Sequence, residues 1–445
     1  MLVCGIDIGS TNLKVALFDK DRGLIWLRTE PTPRIADQFG PVTDVAGLTA
    51  LIEDMIIQGW SEQGRGAVIA AISTAGVGED GVYVDERVQP LGPALIWFDQ
   101  RAVPEAKELS RNEAITARSG IGIDPTRTAA KWLWSARNLP DQAKGAACWI
   151  SLTDYPLAKW AEQPFISDTL ASRTGCFDAA ERSWIEPLLE ASHAPALPPV
   201  MAAGTVLRTV RNEKLRKSGA VTEDTLLVVG GHDHPVAAHA IHRFAADARA
   251  DSIGTANVIY GDAPVFPVVR HDPLIGFMAS IEGPEKIACL GVFEFTATVR
   301  KFPGGIEAIR RVLALPTMPG TPHETHGTDF ATERQLLEWA TFNARSMLDR
   351  LGGYGVPQGP IFATGGWSRS RSLLELRASI FGEPVHAPEE KELTVLGAGL
   401  LAAGGLGTDL SFKTAVTIVD PVAAWARAYE QAYARFAQSE PGSEI

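Results

Sequence analysis

Two stretches of this chain repeat one short pattern, and that pattern narrows the folds open to it. Near the start, Leu2 to Ile8 reads as a strand carrying an acid, Asp7, and it breaks at Gly9-Ser10-Thr11-Asn12 before a second strand from Leu13 to Asp19. Far along the chain, Ala250 to Tyr260 gives the same strand, Gly254-Thr255 turn and strand. A strand rather than a helix follows each turn, so neither is the glycine loop of a dinucleotide fold. Hydroxyls and exposed N–H groups of a tight turn can instead hold phosphate oxygens, with Asp7 facing a metal. One such hairpin in each half predicts two domains that present their turns to a cleft. Length agrees, since 445 residues exceed one ordinary core.

The second constraining stretch is Leu226 to Ala238. An apolar run, Leu226 to Val229, reads as a buried strand ended by Gly230 and Gly231, and Pro235 opens a helix. Between them stand His232, Asp233 and His234, which places the Asp233 carboxylate at a strand end facing a cleft. The fresh strand also marks the domain boundary, giving 1–228 and 229–445.

Between the two landmarks, Glu79, Asp80, Asp99 and Arg101 follow strands or turns, where polar groups converge on ligands. Carboxylates and an arginine beside an indole, Trp97, suit a polyhydroxylated substrate: hydroxyls need donors and acceptors, and a carbon skeleton can lie against the ring. Phe165 to Asp178 is polar and irregular, suited to a cleft wall, and 181–190 has helical spacing. In the second half, Ile361 to Trp367 reads as a strand entering Gly365-Gly366, where a flat group such as adenine could approach closely. A helix from Ser368 ends at Gly382, and Glu392 to Ala403 is an alanine-glycine helix suited to close packing.

Composition removes several classes of function. A net charge of -12 makes nucleic acid a poor partner, because phosphate-backbone binding needs clustered Lys and Arg. There is no apolar run long enough to span a bilayer and no basic leader before the first strand, so no membrane partner is expected and the cytoplasm is the expected location. Cys4, Cys148, Cys176 and Cys289 form no paired motif, which fits free thiols.

Taken in order, Gly5 to Lys14, Trp97 to Arg101, Gly230 to Asp233, Ser252 to Thr255, Gly365 to Ser370 and Glu392 to Ala402 resemble the FGGY family of carbohydrate kinases, within the actin, sugar kinase and Hsp70 superfamily. The resemblance covers nearly the whole chain. It implies an α/β protein of two ribonuclease-H-like, actin-like ATPase domains around a deep cleft, with sugar mainly on the N-terminal and ATP mainly on the C-terminal domain. It implies a phosphotransferase with an alcohol group as acceptor, using ATP and Mg2+ on a sugar or polyol, with a homodimer possible. By that resemblance Asp233 is the catalytic base and also touches the substrate, while Asp7 lies near magnesium. Gly9, Ser10, Thr11 and Asn12 form the first phosphate loop, and Gly254 and Thr255 the second. Gly365 and Gly366 lie beside adenosine, and Lys14 and Arg369 join the nucleotide side. Glu79, Trp97, Asp99 and Arg101 form the substrate wall. The acidic pair Glu79 and Asp80 favours a neutral acceptor. A ketopentose such as xylulose or ribulose is expected, with a tetrulose, a glycerol-like polyol or a hexulose such as fuculose as alternatives.

The chain departs from the family pattern at His234-Pro235 after the base, at Ala256 in the second turn and at Trp367. Two other classes of function compete. His232, Asp233 and His234 with His239 or His242 could form the metal centre of a hydrolase, or the chain could be a non-enzymatic actin-like nucleotide switch.

Overall fold

The computed structural model describes residues 1–254, 256–264, 272–322, 330–412 and 414–439. Two units emerge from the packing: Met1–Ala240 with Val268–Ala288 and Glu392–Lys413, and Ile241–Pro267 with Cys289–Lys391 and Thr414–Ile445.

The first unit is built outward from β1 (Leu2–Ile8), whose seven residues are all buried, as in a strand covered on both faces. β1 pairs antiparallel with β2 (Asn12–Asp19), and β2 with β3 (Gly23–Pro31). On its other side β1 runs parallel to β4 (Ile69–Gly76), followed by β5 (Val206–Thr209) antiparallel at the edge of β6 (Leu226–His232), which is parallel to β4. Strand alternation sorts the β1 side chains. Leu2, Cys4, Ile6 and Ile8 enter a core with Leu48, Ile52, Met55 and Ile56 of the helix Val45–Gln63. That helix is capped at Asp44, which accepts from the Gly47 N–H at 3.0 Å.

Gly5, on the opposite face, meets the helix Leu393–Gly405: a Cβ there would stand 2.3 Å from the Val395 carbonyl oxygen. The same helix lies on β1, β4 and β6. Its own Gly397 lets it approach so closely that a Cβ would fall 2.0 Å from the Val236 carbonyl.

Gly230 and Gly231 do not end the strand, contrary to the sequence expectation. β6 runs on to His232, and the helix Asp233–His242 starts at once, ahead of Pro235. The glycines instead sit at a shift of register between Val228 and Gly231. A Cβ on Gly230 would lie 1.6 Å from the Thr74 carbonyl, so only glycine lets the bulged strand lie against β4. Residues 181–190 also differ from expectation. Ser183–Trp184 is a short strand paired with Phe177–Asp178, and the helix is only Glu186–Ala191.

The second unit repeats the central device of the first. β7 (Arg249–Ile253) and β8 (Asn257–Ala263) form an antiparallel hairpin, and β7 is parallel to β10 (Ile361–Thr364), as β1 is to β4. β9 (Ile287–Phe293) lies beyond β8, while β11 (Val385–Pro388) and β12 (Val416–Val419) extend the sheet beyond β10. Its core joins Ile253 and Phe295 to the helices Glu333–Gly353, Arg371–Phe381 and Ala423–Ser439. Among the described residues no helix is long and apolar enough to cross a membrane.

Candidate active site

Register places the two acids singled out by sequence. Ile8 on β1 and His232 on β6 both pair with Gly76, the last residue of β4 between them. Asp7 and Asp233 therefore emerge at the carboxyl ends of strands that stop level, two strand spacings or roughly 10 Å apart, where open α/β sheets bind ligands. They sense each other, for the Asp233 charge helps raise the Asp7 carboxyl.

Asp7 follows Gly5 onto the face covered by the helix Leu393–Gly405 and is directly opposite Lys14 on β2. The Lys14 ammonium lies 3.5 Å from Asp7 Oδ2 and 2.7 Å from Glu392 Oε2. Burial pushes the Asp7 carboxyl up to about 6 despite that ammonium. A buried carboxylate weakly held by its lysine, with a second carboxylate nearby, is an oxygen donor set that suits a hard cation such as Mg2+.

Asp233 opens its helix with Oδ1 buried and without a hydrogen bond. His232 Nε2 lies 3.2 Å and His234 Nε2 3.6 Å from that oxygen. Burial, then the charges of Arg173, His234 and Arg127, hold His232 neutral, well below the ordinary histidine range. His239 and His242 do not join the group: His239 Nδ1 is 2.8 Å from Glu282, and His242 Nε2 is 3.2 Å from the Ala248 carbonyl.

In the turn Gly9 to Asn12 all four carbonyl oxygens are used inside the protein. Thr32 Oγ1 donates to Gly9 O at 2.7 Å, and Arg34 Nη2 to Ser10 O at 2.7 Å. The N–H groups of Thr32 and Gly9 donate to Thr11 O and Asn12 O, each at 3.0 Å. With its acceptors engaged inside the protein, the turn offers the exposed Thr11 and Asn12 side chains as donors at its surface. This is the electrostatic requirement of a phosphate loop. Trp97 ties this turn to the expected substrate wall, since its Nε1–H donates to Ser10 Oγ at 2.7 Å and its backbone N–H to Asp80 Oδ1 at 2.6 Å.

The rest of the expected wall is largely engaged within the protein. Glu79 Oε1 accepts from Arg127 Nη1 at 2.6 Å and from both Nε and Nη2 of Arg173. Burial alone would raise Glu79, but those guanidiniums hold it below its ordinary range. The Arg101 side chain is buried, paired with Asp99 Oδ2 at 2.6 Å and Asp37 Oδ2 at 2.8 Å, with its guanidinium carbon 4.9 Å from the Trp134 ring centre. It clamps its loop rather than pointing a free guanidinium outward.

Sequence reasoning missed Arg127 and Lys131. Both flank or enter the helix Thr128–Asn138, whose tryptophans drew attention to its apolar face alone. Lys131 donates to the carbonyls of Trp97 and Thr126, and burial pulls its ammonium down to about 8. Asp80 is driven up to about 7 by burial, with Lys131 and Arg34 opposing. Beside Glu79 and Lys131 lies a cavity of about 150 Å³ floored by Tyr83, Trp132 and Trp149.

In the second unit, Gly254 closes its turn as Gly9 does, its N–H donating to Ala256 O at 3.0 Å. Thr255 lies outside the described residues. Gly365 has φ 84° and abuts the Ile253 carbonyl, where a Cβ would be 2.5 Å away. Gly366 and Arg369 are exposed, and Trp367 packs edge-on against Phe295. The acid of the second hairpin is not available as Asp7 is. Asp251 is fully buried and accepts from Asn257 Nδ2 at 2.7 Å, with Arg377 Nη1 3.4 Å away.

The model for the FGGY carbohydrate kinase N-terminal domain matches residues 2–239, and that for the C-terminal domain matches residues 309–406. A xylulose kinase of Streptomyces coelicolor is 25% identical over 91% of this chain and 88% of its own. A glycerol kinase of Koribacter versatilis is 25% identical over 91% of this chain and 90% of its own. The crystal structure of a xylulose kinase from Rhodospirillum rubrum superposes with a TM-score of 0.83 at 20% identity, covering 98% of each chain.

Proposed function

The chain belongs to the FGGY family of carbohydrate kinases and is an ATP-dependent sugar or polyol kinase with the actin-like ATPase fold, and we propose on that footing that it phosphorylates a ketopentose with Asp233 as general base. The observation that carries the base assignment is the unpartnered Asp233 Oδ1 at the carboxyl end of β6, level with Asp7. Oδ1 itself is buried, but the Asp233 side chain is 29% exposed, so the carboxylate has an open face on which to accept a hydrogen bond from an acceptor hydroxyl. It takes the proton as the new O–P bond forms, so its basicity need not be raised. His232, neutral and buried against it, does not compete by donating a charge.

The surface donors of the Gly9–Asn12 turn, and Gly254 and Thr255 of the second, hold phosphate oxygens in this reading, while Gly365, Gly366 and Arg369 take the nucleoside side. Asp7 would hold Mg2+, which when bound neutralises charge on the ATP phosphates. Lys14 then shares its charge between Asp7 and Glu392 and keeps the first turn's strand in register. Glu79, Asp99 and Arg101 build the substrate wall by fixing its loops, and Trp97 offers its ring to the carbon skeleton.

A neutral acceptor is favoured because Arg127 and Arg173 are engaged by Glu79 and Arg101 by Asp99 and Asp37, so these guanidiniums are not free to bind an anionic sugar. The xylulose kinases among the relatives point to the ketopentose. A coupled ATPase assay over ketopentoses, tetruloses, hexuloses and glycerol tests this: the highest kcat/KM should fall on xylulose or ribulose. A higher value on glycerol or a hexulose would replace the substrate but leave the base in place.

A further inference from the structure

We propose that His232, Asp233 and His234 form a three-ligand site for one borderline-soft divalent cation, Zn2+ being the type, which masks Asp233 when it binds. The inference that binding silences the kinase rests on Asp233 being the base; the inference that the cation binds does not.

The sequence alone argues against such a cluster, because residues two apart share a face in a strand but not across a glycine turn followed by proline. The structure removes the objection. β6 runs unbroken to His232 and the helix begins at Asp233, so the chain changes direction at the acid and swings His234 back to its side. The two imidazole rings stand 5.2 Å apart at 89° to each other. One nitrogen of each ring and one oxygen of Asp233 all lie within 4.8 Å of one another.

The geometry matches coordination better than hydrogen bonding. Asp233 Oδ1 has no hydrogen bond, although His232 Nε2 and His234 Nε2 are only 3.2 and 3.6 Å away. Zinc bonds to nitrogen and oxygen of about 2.0–2.1 Å in a tetrahedron require ligand-to-ligand edges of about 3.3 Å. The two nitrogen-to-oxygen spacings bracket that value, and the nitrogen-to-nitrogen edge lies within 4.8 Å, so a small ring movement closes the set on a cation.

Exposure completes the picture. The His232 side chain is 6% exposed and anchors the group, whereas Asp233 and His234 are 29% and 30% exposed, so a cation can enter and a fourth position stays open to water or a substrate hydroxyl. Two imidazoles and one carboxylate select Zn2+ or Co2+ over Mg2+, which prefers an all-oxygen shell. The Mg2+ assigned to Asp7 and the cation assigned here therefore differ in chemistry as well as ligands.

The test uses the full-length protein and Co2+ alone as a spectroscopic probe. One Co2+ per chain is expected, with the intense visible bands of a four-coordinate ion, displaced stoichiometrically by Zn2+. His234→Ala, with its melting temperature checked, should weaken binding by more than about a hundredfold, beyond what loss of an outer-shell partner costs. Absence of a stoichiometric site, or binding that His234→Ala leaves intact, would overturn the proposal. In parallel, Zn2+ added at saturating Mg-ATP should suppress turnover, EDTA should restore it, and the ratio of rates with and without Zn2+ should approach one in His234→Ala. Binding at this site with turnover unaffected would keep the site and reject Asp233 as the base.

Discussion

At the scale of single residues, Asp233 and Asp80 are two carboxylates whose surroundings set them to different tasks. Asp233 has an oxygen without a donor at a strand end, and Asp233→Asn keeps the shape but removes the proposed proton acceptor. Its kcat should fall on the order of 10³-fold, the usual worth of a positioned general base, while KM for the sugar changes little; single-turnover kinetics would check this. Asp80 is buried with Oδ2 unpartnered and titrates at about 7, against 3.8 when freely solvated. Between those values the folded protein retains a proton that the unfolded chain has released. Stability contributed here is thus fully present at low pH and is lost as pH rises through the folded value. Asp80→Asn cannot ionise, so the gap in melting temperature between about pH 5 and about pH 8 should shrink in the variant, as differential scanning fluorimetry would show. An unchanged gap would mean that Asp80 is ionised in the fold at both values.

Elements show where glycine is structural and where it leaves space. Gly230→Ala would drive a Cβ to within 1.6 Å of the Thr74 carbonyl, backbone against backbone. The parallel pairing of β4 and β6 must open to relieve it, at a cost of about 3 kcal/mol or more, visible as a shifted denaturant midpoint. Gly366 is the contrast: its backbone is exposed, and no atom lies within 4 Å of the point a Cβ would occupy. Gly366→Leu should leave the melting temperature in place while raising KM for ATP, if adenosine lies there. Much at this scale was legible in the sequence. Both hairpins and the Gly382 stop follow from local preferences, and Gly382 indeed closes its helix with φ 76°. The bulge at Gly230 was not, because a glycine pair reads alike whether it ends a strand or lets it press against a neighbour. Nor were the partners of Glu79: Arg127 and Arg173 stand 48 and 94 positions away, and nothing local links them. Nor was the pairing of Arg101 with Asp37, 64 positions earlier.

At the scale of the whole molecule, sequence order and spatial grouping part company. The helix Leu393–Gly405 belongs with β1, β4 and β6, although most of the second unit separates them along the chain. Ala398 and Leu401 of that helix pack with Ala75 and Val236, so the sheet face carrying Gly5 is apolar and uncovered without it. A fragment of residues 1–240 should accordingly bind a hydrophobic dye and lack a cooperative melt. Supplying residues 392–413 as a separate peptide should restore both protection and cooperativity. A cooperative melt of the fragment alone would show that the helix is dispensable for that core.

The late return of this helix also has a consequence in time. On the ribosome the strands that carry Asp7 and Asp233 are complete long before Glu392 leaves the exit tunnel. Synthesis at about 5–20 residues per second leaves the open face waiting for many seconds. The nascent chain therefore spends that interval with a half-covered sheet, and the first unit closes only after residues 392–405 have been made. The face that carries Gly5 and Asp7 is thereby the last part of the first unit to be covered.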